Sequence, residues 1–157
     1  PKVRIMECRL GGYLCLMHQM EVIYEGGLRT VARHLKSGVE IVTDAPVDNQ
    51  GRGASFSPTD LASCSLASCM LTIIGILAQN HGFSIDGTRA EVTKLMASEP
   101  RKIQTIKIRL LFPDKAIFDE KRKLMIKRAA HTCPVALSLN ESVQQELTFV
   151  FEGREEQ

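Results

Sequence analysis

The chain has 157 residues, of which 20 are basic and 18 acidic; 44% are hydrophobic, with no Trp and two Tyr. That length suits one domain, and so even a charge balance with so few aromatics argues against a nucleic-acid or membrane-surface binder. Ser68, Thr72 and Gly75 interrupt the longest apolar stretch, and Glu7 and Arg9 break any signal-like core, so a cytoplasmic protein without a membrane span is expected.

In chain order, residues 3–6, 14–17, 21–24 and 28–34 read as short strands, punctuated by Gly11-Gly12, Gly26-Gly27, Ser37-Gly38 and Asp44-Ala45-Pro46. Residues 51–58 read as a loop. A long helix follows from 58 to about 81, with Ser57 as N-cap, Pro58 at the first helical position, Asp60 at the third and Gly82 as the stop. Ala62, Leu66, Cys69, Ile73, Ile76 and Leu77 recur at helical spacing and predict its buried stripe. Strands at 89–96 and 103–112 flank a turn at Ser98-Glu99-Pro100 and read as a hairpin. A second helix over 119–131 has Leu124, Met125, Ala129 and Ala130 as its apolar positions, and it ends before Cys133-Pro134 because the residue preceding proline is driven out of the helical region. A short helix at 134–139 and a strand at 146–152 complete an α+β chain: N-terminal antiparallel strands, a long central helix carrying a cysteine, and a second antiparallel sheet with a second helix.

The five cysteines are irregularly spaced and do not resemble a secreted disulfide framework. In a reducing compartment they serve as free thiols, metal ligands or redox centres. No CxxC-like pairs with further Cys or His are present, so neither metal nor cofactor is expected. Cys69, in mid-helix on the apolar stripe, reads either as a small packing hydrophobe or as a nucleophile, the latter only if another segment delivers a cation to it. Cys133 opens a helix at Cys-Pro and reads either as a plain cap or as a thiol tuned by the helix end. Cys64 lies roughly 140° round the helix from Cys69 and reads as packing. Cys8 and Cys15 show no partner pattern. His34, Asp44 and Asp48 fall in a loop-rich stretch, either lining a substrate entrance or simply solvated, and His131 sits two residues before Cys133.

Ser57-Pro58-Thr59-Asp60-Leu61, Leu66-Ala67-Ser68-Cys69 and Cys133-Pro134-Val135 with Ser138-Leu139, in this order and with 64 positions between the two cysteines, resemble the superfamily of osmotically inducible protein C (OsmC) and the organic hydroperoxide resistance proteins (Ohr). The resemblance spans roughly residues 21–151. It implies a family domain over 20–152, an N-terminal extension or extra strands at 1–19 and a tail at 153–157. It also implies an intertwined homodimer and a thiol-dependent peroxidase acting on organic hydroperoxides, with a dithiol as reductant. Cys69 would be the peroxidatic cysteine and Cys133 the resolving one. An Arg from the N-terminal strands would serve the thiolate: Arg29 is the best positional match, with Arg33 as the alternative. The family's peroxidases carry a Glu directly after the helix-start proline; here that place holds Thr59, and Asp60 stands one residue on. The departure motivates a second reading, a redox-sensing or ligand-binding module without turnover. A third is a structural dimer with inert thiols.

Overall fold

The computed structural model describes residues 9–10, 13–14, 18–113 and 116–157, arranged as two compact units, 1–57 and 58–157. Most of the strands expected at 3–6 and 14–17, together with Cys8 and Cys15, lie outside the described residues.

In the first unit, β1 (Arg9–Leu10) pairs antiparallel with β2 (Tyr13–Leu14), and β3 (Met20–Gly26), β4 (Arg29–His34) and β5 (Glu40–Asp44) form an antiparallel sheet in that order. The β3–β4 turn places Gly26, Gly27 and Leu28 consecutively at positive φ (84°, 58° and 64°). Glycine enters that region freely, whereas Leu28 is strained there, held by its N–H donating to the Tyr24 hydroxyl at 3.2 Å. The turn therefore delivers Arg29 as the first residue of β4, directly opposite Asp44, the last residue of β5. Beyond β5 the chain makes a 3-10 turn (Val47–Asn49) and returns, so that the Asp44 N–H donates to the Phe56 carbonyl at 3.0 Å. This return requires glycine at position 51, where a Cβ would collide with the Ala45 carbonyl.

The second unit starts with α1 (Pro58–Asn80), followed by β6 (Arg89–Ser98), β7 (Arg101–Leu111), α2 (Glu120–His131), α3 (Pro134–Ser138), β8 (Gln144–Phe151) and β9 (Arg154–Glu156). The sheet order is β6-β7-β8-β9. The β6–β7 hairpin forms as expected, with a cis Glu99–Pro100 bond in its turn. The sheet is not wholly antiparallel, however: β8 lies parallel to β7. The connection explains it, because the chain crosses over through α2 and α3 before returning, and such a crossover brings the next strand back in the same direction. Residues 154–156, expected to be tail, turn back and pair with β8. Ion pairs hold them: Arg109 reaches Glu155 at 2.6 Å, and Glu156 takes Lys123 at 2.9 Å and Lys127 at 3.1 Å.

The core lies between α1, α2 and the sheet, with Leu66, Met70 and Ile74 of α1 and Ile106, Ile108 and Leu110 of β7 fully buried. Phe112, Phe118 and Phe151 close one end, the Phe112 and Phe151 rings stacked at 4.6 Å. The buried face of α1 runs through Ser63, Leu66, Ala67, Met70, Ile74 and Ala78, not through the expected stripe. Of that stripe only Leu66 is fully buried; Cys69, Ile73 and Leu77 lie at its border and Ile76 is exposed. The helix is apolar on nearly every side, so periodicity alone does not select a face. By length and composition α1 would also suffice to cross a membrane; here its Leu66–Met70–Ile74 side packs in the core. On α2 the buried residues are Ile126 and Ala130, while Leu124 is exposed.

Candidate active site

Cys69 and Cys133 come together. α1 presents Cys69 half-buried at the margin of the core, and α3 packs against α1. Cys133 is the N-cap of α3, extended at φ −68° and ψ 143°, with Pro134 in the first turn. Its sulfur accepts the Ala136 N–H at 3.3 Å, so the cap expected from Cys-Pro is made by the thiol itself. The side chain is fully buried.

The Cys133 thiol is pushed up from its ordinary pKa, first by burial and then by the neighbouring Cys69 sulfur, its hydrogen-bonding and electrostatic partner. The helix-end N–H groups of Ala136 and Val135 oppose this and do not outweigh it. Cys133 therefore keeps its proton at neutral pH, with the Cys69 sulfur as a neighbour. Chemically this is a protonated, water-excluded thiol beside a more accessible one, a pair that a two-electron oxidant would convert to a disulfide.

Thr59, where a Glu was expected, is the second residue of α1, and its hydroxyl accepts from Lys94 Nζ at 2.9 Å. The same ammonium binds Asp60 Oδ1 at 2.5 Å, so Asp60 is engaged at the helix start by a cation from β6. Lys94 is 18% exposed, on the inward-facing side of its strand. Sequence reading passed it over, although its place in the inward alternation Ala90, Val92, Lys94 marks a charge that must find a partner. Arg33 is an exposed strand residue in a loose 3.8 Å pair with Glu40. Arg29 is half-buried in β4 of the first unit. Asp44, expected to be a loop residue, ends β5 and is fully buried. His131 is exposed at the end of α2, and His34 Nδ1 is engaged by Ser37 Oγ at 2.8 Å. Cys64 lines an open groove of about 570 Å³ between α1 and β6, with Ala67, Ser68, Leu71 and Val92. Among the described residues no group of three or more His, Cys, Asp or Glu could hold a metal ion.

The model of the OsmC-like protein family matches residues 51–148, a stretch that contains Thr59, Cys69, Cys133 and both helices that bring the thiols together. The chain belongs to the OsmC-like family. A protein of known structure from Psychrobacter arcticus, described as an osmotic stress induced and detoxification response protein, is 49% identical, with 87% of this chain and 98% of that one covered and a TM-score of 0.82. Two more distant structures share the fold: an organic hydroperoxide resistance protein OsmC from Legionella pneumophila (15% identity, 85% and 97% coverage, TM-score 0.64) and the organic hydroperoxide resistance protein OhrB of Bacillus subtilis (17%, 84% and 98%, TM-score 0.58). No curated protein matches the chain.

Proposed function

We propose that this OsmC-like protein is a thiol-dependent peroxidase that reduces organic hydroperoxides with a dithiol as reductant. The observation that carries the reading is the juxtaposition of the half-buried Cys69 with the buried, protonated Cys133. The Cys69 thiolate attacks the terminal oxygen of ROOH; the O–O bond breaks, RO⁻ takes a proton and leaves as ROH, and Cys69 becomes a sulfenic acid. Cys133 then attacks the Cys69 sulfur; the S–S bond forms, and hydroxide departs with the Cys133 proton as water. A dithiol reopens the disulfide by exchange and is itself oxidised. The sum is one hydroperoxide and one dithiol giving alcohol, water and a disulfide.

Keeping Cys133 protonated until the sulfenate forms suits this order, because a second thiolate beside Cys69 would oppose ionisation of the first. The apolar surroundings of Cys69, which include Leu66 and Ile73, favour an alkyl or lipid peroxide over hydrogen peroxide. Arg29 is the proposed cation for the Cys69 thiolate; Arg33, exposed and paired with Glu40, is the weaker candidate. The names of the Legionella and Bacillus structures point to the same substrate class. A homodimer in the cytoplasm belongs to this reading, and the exposed Met20, Val22 and Tyr24 of β3 are surface that a second copy would cover.

The test is consumption of cumene hydroperoxide and of hydrogen peroxide by the reduced protein with excess dithiol. Turnover that prefers cumene hydroperoxide and is lost in Cys69→Ser is expected. Thr59, bonded to Lys94 where a Glu was expected, is the observation that favours the alternative of a redox sensor. A single stoichiometric oxidation, with no further consumption of peroxide, would establish that alternative.

A further inference from the structure

Two buried side-chain atoms among the described residues lack a hydrogen-bond partner: Arg29 Nε and Asp44 Oδ1. They belong to residues directly opposite one another in the β4–β5 ladder, and side chains opposite across antiparallel strands share a face with Cβ atoms about 5 Å apart. An unmatched donor on a cation and an unmatched acceptor on a carboxylate, side by side and away from water, are each costly alone and complementary together.

The Asp44 carboxylate is built in, with the side chain fully buried. Its Oδ2 accepts the Ala54 N–H at 3.0 Å, which fixes the carboxylate and leaves Oδ1 as the unmatched oxygen. The loop that provides this N–H is braced against the strand: the Gly53 N–H donates to the Ala45 carbonyl at 3.1 Å, Gly51 fits only as glycine, and Ser55 Oγ donates to the Val42 carbonyl at 2.7 Å. Across the ladder, Arg29 directly follows the strained Leu28, so its backbone is equally constrained. Meanwhile the helix-start position where the resemblance places a carboxylate holds Thr59, a neutral hydroxyl engaged by Lys94.

We propose that Asp44 is the positioning residue for Arg29: its free oxygen takes the Arg29 Nε–H and orients the guanidinium, supplying from β5 a carboxylate in place of the one that position 59 lacks. Asp44 acts through Arg29 and does not itself touch the peroxide. The inference rests on the proposed peroxidase reading for the role of Arg29, while the Asp44–Arg29 pairing stands independently of it.

The experiment compares wild type, Asp44→Asn, Arg29→Lys and the double variant. The Arg29 Nε–H resonance is assigned by its loss in Arg29→Lys, and its solvent exchange is followed by NMR. In Asp44→Asn this exchange should quicken at least about tenfold, as for a donor released from a buried acceptor. The kcat/KM for cumene hydroperoxide should fall about a hundredfold, the scale of losing orientation at a reacting group. The double variant should be no slower than Arg29→Lys alone, since both changes remove one device. Unchanged Nε–H exchange in Asp44→Asn overturns the pairing, and losses that multiply in the double variant overturn the positioning role. If Asp44→Asn does not fold, Asp44→Glu takes its place: it keeps the charge, and should retain the slow Nε–H exchange and most of the activity. Faster exchange in that variant, with wild-type activity retained, sinks the proposal. A wild-type protein with no hydroperoxide turnover would refute the peroxidase reading and, with it, the role of Asp44 in that reaction, while the NMR exchange still decides the pairing.

Discussion

Replacing Cys133 separates its structural task from its chemical one. In Cys133→Ala two things are lost. The buried sulfur goes from a fully enclosed site, worth about 1 kcal/mol for a group near methylene size, and the Ala136 N–H loses the acceptor that caps α3, worth about 1 kcal/mol more. The sum is roughly 2 kcal/mol, which for a chain of this length lowers the Tm by roughly 4–8 °C. Cys133→Ser keeps an oxygen where the sulfur caps the helix, and Ser is a strong N-cap, so it should recover about half of that loss. Differential scanning calorimetry of the reduced proteins measures both. The two variants should be equally unable to form an intrachain disulfide, whatever their stability. If Cys133→Ser proves less stable than Cys133→Ala, the cap assignment is wrong and burial of the hydroxyl dominates.

Two further outcomes follow from the same geometry. The Cys133 thiol is raised in the folded state, chiefly by burial, so above the ordinary thiol range the native protein holds a proton that the unfolded chain has lost. Its contribution to stability is thus complete below the unfolded thiol pKa and is lost as pH climbs through the folded value; under reducing conditions the urea midpoint of wild type should fall more between pH 7.5 and pH 9.5 than that of Cys133→Ala. Lys94→Met, which removes the ammonium from Thr59 and Asp60 at the start of α1, should cost about 1 kcal/mol in chemical denaturation and leave the yield of Cys69–Cys133 disulfide unchanged. A lost disulfide in that variant would make Lys94 part of the redox chemistry rather than a support for the helix start.

Much of this arrangement could be read in the residues. Ser57-Pro58 and Gly82 bracket α1, and Cys133-Pro134 places a thiol at a helix start, because capping and proline geometry are local properties. Which side of α1 meets the sheet is not local. With Ile73, Ile74, Ile76 and Leu77 nearly contiguous, several faces are apolar enough, and only packing against α2 and β7 selects the one through Met70 and Ile74. The consequence bears on the proposed chemistry, since it leaves Cys69 at the border of the core instead of inside it. The parallel direction of β8 is written not in strand alternation but in the two helices, α2 and α3, that separate it from β7, and the expectation of an antiparallel sheet took no account of that crossover. β9 has no apolar signature, its Arg154-Glu155-Glu156 being held by Arg109, Lys123 and Lys127 from elsewhere in the chain. Asp44-Ala45-Pro46 reads as a solvated turn. The burial of Asp44 follows from the return of residues 51–56, which no short window of sequence contains.

The central claim is that Cys69 and Cys133 form one redox unit. Its most direct test is peptide mass spectrometry of the reduced protein after one equivalent of cumene hydroperoxide, with free thiols blocked before digestion. The account predicts a Cys69–Cys133 crosslink as the dominant product, replaced in Cys133→Ser by a sulfenic acid at Cys69 that dimedone traps. A Cys69 that remains alkylatable after peroxide treatment, or a crosslink joining either cysteine mainly to Cys64, would contradict it.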